Sequence, residues 1–167
     1  LGTTPEYLTV KNLIVRRGRF LEDTDLARTS NVAVLAAGAA NRLFSYEDPV
    51  GKTVLLGEGA YRVIGVLDAQ DSGSAVPGAI GLQDMNNDIY IPITSRRSRF
   101  GELQVIVRAG GRDIERTQLS EITLTLHDEN FVSQTASMAR KLLRQTHTNK
   151  EDFEIQVPLE LLRQAER

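Results

Sequence analysis

The sequence has no cysteine and no tryptophan. Without cysteine there is no disulfide, no zinc–thiolate site and no thiol nucleophile. Aromatic residues make up 5% of the chain, which weakens any base-stacking or sugar-stacking surface. The formal net charge is -2, so no global field draws in nucleic acid or an anionic membrane. Long apolar runs are also missing. The longest, Val32 to Ala40, is about half of what a bilayer span requires. No signal peptide is legible. What remains is 167 residues, enough for one ordinary domain or two small subdomains with a useful core. The abrupt start at Leu1-Gly2 and the end at Ala165-Glu166-Arg167 read as a piece of something longer, and such a piece can belong to a membrane protein.

One tripeptide invites a nucleotide-site reading. Gly51-Lys52-Thr53 is how a P-loop ends. That motif needs a first glycine five positions earlier, so that backbone N–H groups wrap around phosphate. The residue there is Tyr46, followed by Glu47, Asp48, Pro49 and Val50. Two carboxylates would face the phosphates, and proline has no N–H to donate. A P-loop also opens a helix, whereas Thr53-Val54-Leu55-Leu56 reads as a strand. The tripeptide is therefore expected to be a hairpin turn.

The pattern along the chain is mixed. Tyr7 to Val15 reads as a strand with a turn starting at Arg16-Arg17-Gly18-Arg19, and Glu22 to Asp25 as an acidic loop or helix start. Asn31 to Leu35 reads as a buried strand and Ala-rich Ala36 to Phe44 as a short helix. Thr53–Leu56 and Tyr61–Leu67 pair across Gly57-Glu58-Gly59. Gln70 to Asn87, rich in Gly, Ser, Asp and Asn, is expected to be a mobile loop. Asp88 to Ile93 is a strand whose Pro92 marks an edge or an end. Leu103 to Val107 is another strand candidate, broken by Gly110-Gly111.

In the last third, Ile122, Leu124 and Leu126 alternate with Thr123, Thr125 and His127, the pattern of a half-buried strand. Asp128-Glu129-Asn130 suits a helix N-terminus. Val132, Ala136, Ala139, Leu142 and Leu143 form one helix face running to about Thr146. Phe153 to Val157 reads as a strand, and Pro158 opens a helix over Leu159 to Arg167. Residues 119–167 thus read β-α-β-α, residues 1–100 mostly β with one short helix, and the class is α+β.

No catalytic constellation emerges. Asp84-Met85-Asn86-Asn87-Asp88 resembles half a calcium loop, but the sixth position is Ile89 and the twelfth Ser95, where Gly and Glu belong. His127 and His147 have no second ligand at helical spacing, and His147 suits a helix C-terminus. Asp71-Ser72-Gly73-Ser74 has no histidine nearby in sequence, and Glu22-Asp23 are adjacent and so point apart. Arg96-Arg97-Ser98-Arg99 is a basic cluster that fits a polar contact surface better than nucleic acid at this net charge. No catalytic, cofactor-binding or metal residue is assigned, and no cofactor is expected.

Several stretches, in order, resemble the extracytoplasmic, MacB-like periplasmic core domain of MacB/FtsX-type ABC transporter permeases. They are Thr4-Pro5-Glu6-Tyr7-Leu8, Arg17-Gly18-Arg19-Phe20 with the acidic residues after it, and Asn31 to Leu35. Leu43-Phe44, Asp48-Pro49-Val50-Gly51-Lys52, Tyr61 to Val66 and Asp88 to Pro92 follow. Phe153-Glu154-Ile155 through Pro158 to Leu162 is similar to the stretch that leads into that family's second transmembrane helix.

The resemblance implies a β-rich Sabre-like subdomain over residues 1–117. Residues 118–167 would be the second β-α-β porter-like unit, with the first porter unit preceding Leu1; the stretch Phe100 to Gln118 is longer than the family's pattern. It implies no enzyme activity of the domain's own. ATP would be hydrolysed by a cytoplasmic ATP-binding subunit or domain, and the motion passed outward to drive export or lipoprotein trafficking. Partners would be that ATPase, a second permease copy and a periplasmic adaptor, with no nucleic acid. The place would be the periplasmic or extracellular face of the bacterial inner membrane. Rival readings are a domain that activates a cell-wall hydrolase and a soluble enzyme domain.

Overall fold

The computed structural model describes residues 1–45, 47–70, 85–101, 103–108, 111–116, 119–146 and 153–157; for residues 103–116 it describes the backbone alone. The chain divides into two compact units, Leu1–Thr123 and Leu124–Arg167.

The first unit is organised on β3 (Val32–Leu35), all four residues of which are buried. Alternation along a strand sends Val32 and Val34 to one face and Ala33 and Leu35 to the other. Both faces are packed. One core cluster joins Val32 and Val34 to Leu13, Phe20, Leu21, Leu67 and Tyr90. The other joins Ala33 and Leu35 to Ala40, Val54, Tyr61, Val63 and Ile91. A strand apolar on both faces must be sandwiched, and the rest of the unit supplies the two layers.

The sheet is mixed. β1 (Gly2–Thr3) lies parallel to β6 (Ile89–Pro92), β6 antiparallel to β3, and β3 parallel to β5 (Gly59–Leu67). The nine residues of β5 are long enough to use their far edge twice. β4 (Thr53–Leu56) pairs with its first half as a hairpin, and β2 (Val15–Gly18) pairs with its last residues. Where β2 meets β5, Gly18 faces Gly65, and a Cβ on either would come within 2.1 Å of a backbone carbonyl oxygen. Only glycine permits that approach. β7 (Leu103–Arg108) and β8 (Gly111–Arg116) form a separate antiparallel hairpin.

Among the described residues of 1–100 there are four α-helices, where the sequence pattern shows one. The stretch Tyr7 to Val15 is not a strand: α1 (Tyr7–Val10) is a single helical turn, and the strand begins only at Val15. Pro5 presets a turn, and Lys11 N–H then bonds to the Tyr7 carbonyl at 3.0 Å. Tyr7 and Leu8 pack on the first cluster from this turn, so their apolar character serves a helix rather than a ladder. Arg16 and Arg17, read as a turn, are exposed residues of β2, which is an edge strand. α2 (Asp23–Ala27) and α3 (Ala37–Phe44) stand where the acidic and Ala-rich stretches predict. α4 (Ile93–Phe100) is unforeseen. Pro92 is a strand end, and its fixed φ of -56° sets the first turn of α4. β6 itself is an interior strand.

The second unit contains α5 (Val132–Thr146), preceded by a short 3-10 turn in which the Asn130 amide donates to Asp128 Oδ1 at 2.9 Å. The acidic cap is thus where the pattern puts it. The two flanking strands are not formed. Residues 121–126 make no ladder, and Ile122 and Leu124 are 69% and 64% exposed. Residues 153–157 likewise have no strand pairing, although Phe153, Ile155 and Val157 are half-buried and alternate with exposed Glu154 and Gln156. Alternation predicts which residues would face a core, but a strand exists only against a partner, and the described residues offer none. The expected helix over Leu159 to Arg167, and most of the expected loop over Gln70 to Asn87, lie outside the described residues.

The core makes one unusual demand. Tyr61 and Tyr90 are fully buried, yet among the described residues neither hydroxyl has a hydrogen-bond partner. Burial pushes the Tyr90 phenol far above its ordinary pKa. A buried hydroxyl without a partner costs free energy. Thermal melts of the purified chain should therefore show Tyr61→Phe and Tyr90→Phe at least as stable as the parent. Tyr90→Ala should lose about 3–5 kcal/mol through the cavity it leaves.

Candidate functional site

The Gly51-Lys52-Thr53 segment is a turn. The Val50 amide donates to Asp48 Oδ1 at 3.2 Å and the Lys52 amide to the Pro49 carbonyl at 3.0 Å. The Gly51 amide donates to the Val63 carbonyl at 2.8 Å, and the Val63 amide returns to the Lys52 carbonyl at 2.8 Å. The N–H groups that a phosphate cradle needs are thus committed to the protein itself. Gly51 adopts φ +86°, a turn conformation that favours glycine. The Lys52 ammonium pairs with Glu47 and sits 5.6 Å from the Phe44 ring centroid. Thr53 opens β4, not a helix.

The other sequence candidates do not converge. Of the half calcium loop, Met85–Asn87 is a 3-10 turn, Ile89 starts β6, and Ser95 is buried, its hydroxyl donating to the Ser30 carbonyl at 2.7 Å. His127 is exposed in irregular backbone. His147, Asp84 and Asp71 to Ser74 lie outside the described residues. Among the described residues no three His, Cys, Asp or Glu side chains gather as metal ligands, and no helix is long and apolar enough to cross a membrane. Arg96, Arg97 and Arg99 all lie on α4.

The best-organised polar cluster is one that sequence reading missed. Arg19 donates to both carboxylate oxygens of Asp25, at 2.7 and 3.1 Å, and to the Phe20 carbonyl at 2.9 Å. Asp25 is 5% exposed and also accepts the Glu22 amide at 3.0 Å, closing the first turn of α2. A buried carboxylate needs such partners, and a two-point arginine fork is the strongest available. The fork holds the Asp25 carboxyl below the usual carboxylate range, with the hydrogen bond from Arg19 as the largest cause. The sequence signal was an acidic residue at the third helical position. Which arginine would reach it was not legible.

A second missed element closes the Gln70–Asn87 loop at its base. The Gln70 amide donates to Asn86 Oδ1 at 2.8 Å, and Asn86 Nδ2 donates back to the Gln70 carbonyl at 3.0 Å. Beside it, Arg42 on α3 donates to Asn87 Oδ1 at 2.9 Å. One side-chain amide thus imitates a strand pairing between residues 16 apart.

Among the described residues there is also a shallow groove of about 320 Å³. It is lined by Leu1 and Gly2, by Leu56, Ile89 and Ile91, and by Arg96 and Phe100 of α4.

A family profile described as the MacB-like periplasmic core domain matches residues 1–141. The macrolide export ATP-binding/permease protein MacB of Rhodospirillum rubrum is 32% identical over 167 residues, covering 99% of this chain and 23% of that protein. The pyoverdine export ATP-binding/permease protein PvdT of Pseudomonas syringae pv. syringae is 29% identical over 155 residues, covering 92% of this chain and 21% of that protein. The chain thus spans under a quarter of the length of the curated relatives it matches. Among solved structures, the periplasmic region of MacB from Actinobacillus actinomycetemcomitans superposes with a TM-score of 0.64 at 22% identity, covering 99% of this chain and 64% of that one. The extracellular domain of the noncanonic ABC-type transporter YknZ from Gram-positive bacteria gives 0.61 at 21% identity, covering 93% and 68%. At these identities the two structures share the fold.

The arginine fork sets an acid limit to stability. A carboxylate whose folded pKa is depressed contributes stability that is complete above its unfolded value, about 3.9 for Asp, and is lost as pH falls through the folded value. Asp25→Asn should therefore flatten the acid limb of a stability-against-pH curve relative to the parent. At neutral pH Asp25→Ala should cost about 2 kcal/mol, through the lost helix start and the stranded arginine. At the turn, Gly51→Ala should cost about 1 kcal/mol of strain, while ATP added to the parent leaves its melting temperature unchanged.

Proposed function

The chain belongs to the MacB-like periplasmic core domain family, the part of an ABC-transporter permease on the periplasmic side of the inner membrane, and from this premise we propose that it relays cytoplasmic ATP hydrolysis to export as a mechanical element. The observation that carries the reading is the family match across residues 1–141. The domain performs no chemistry of its own. Its work is to move as a stiff body when the membrane helices move, and to present a surface to whatever is exported.

The architecture supports that role. A sheet packed on both faces transmits force without deforming, because close-packed interiors have low compressibility. The polar clusters brace the same body: the Arg19–Asp25 fork fixes α2, and the Asn86 amide fixes the loop base. In this reading residues 1–117 are the Sabre-like part. Residues 118–167 are the second porter-like unit, connecting to a membrane helix. The partners are an ATP-binding subunit or domain, a second permease copy and a periplasmic adaptor. Two relatives carry ATP-binding and permease functions in their names, one for macrolide and one for pyoverdine export; the cargo here is of that general kind, a compound sent outward.

Two measurements on the full-length gene product test this. Leu55 is 76% exposed. A Leu55→Cys variant in a cysteine-free background should react with a membrane-impermeant maleimide in intact spheroplasts. Labelling only after lysis overturns the location. In proteoliposomes, a transporter whose residues 1–167 are replaced by a flexible Gly/Ser linker should keep hydrolysing ATP but export nothing. Continued export sinks the mechanical role.

A further inference from the structure

We draw no further inference here: the strongest candidate, the outer edge of β4, which pairs with no strand among the described residues and carries Leu55 at 76% exposure, supports no proposal because nothing in the structure shows what covers it.

Discussion

The burial of β3 on both faces is the constraint that the first unit is built around. A strand reading Val-Ala-Val-Leu has no polar side to turn to water. It needs a layer of side chains above and below, and a strand on each edge. β5 and β6 take the edges. Tyr7, Leu8, Leu13, Phe20 and Leu21 build one layer, while Ala40 and Phe44 of α3 contribute to the other. Everything peripheral then depends on how the chain returns to that strand. The Gly18–Gly65 crossing lets β2 lie against β5, and the length of β5 lets one edge carry two partners.

Several polar groups in the first unit brace neighbouring elements. Asp25, the buried acid, is saturated by an arginine fork and a backbone amide. Thr94 donates to the Leu26 carbonyl of α2 and Ser95 to the Ser30 carbonyl after it, which ties α4 to this segment. Lys52 is neutralised by Glu47. Arg19, Asp25, Lys52 and Glu47 are committed to one another in pairs.

The legible and illegible elements separate along physical lines. The Val32–Leu35 strand, the Ala-rich α3 and the β4–β5 hairpin are short-range objects, declared by a continuous apolar run, by helix propensity and by two turn glycines. The Gly51-Lys52-Thr53 turn was legible for the same reason, since Pro49 and the two acidic residues forbid a phosphate cradle whatever surrounds them. Tyr7 to Val10 misled, because four residues of which three are apolar or aromatic fit one helical turn as well as a strand, and packing against Tyr90 decides between them. α4 was unread because Ile93-Thr94-Ser95-Arg96 has weak helix propensity. It folds because Pro92 starts it and because its hydroxyls find carbonyls on a segment more than 60 residues away. The Arg19–Asp25 fork and the Asn86 clamp were invisible, since each depends on where two backbones arrive.

The sequence by itself determined the α+β class, the buried central strand, the absence of any thiol or zinc–thiolate chemistry and, through an ordered set of short motifs, the family. These rest on composition and local pattern, which a chain carries before it folds. Tertiary structure decided which alternating stretches became strands. Val32 to Leu35 did, because β5 and β6 flank it; Ile122 to Leu126 did not, because no described strand lies beside it. It also decided that Arg19, and not Arg16 or Arg17, holds Asp25. A pairing partner and a charge's surroundings are relations between distant residues, and no local pattern encodes them.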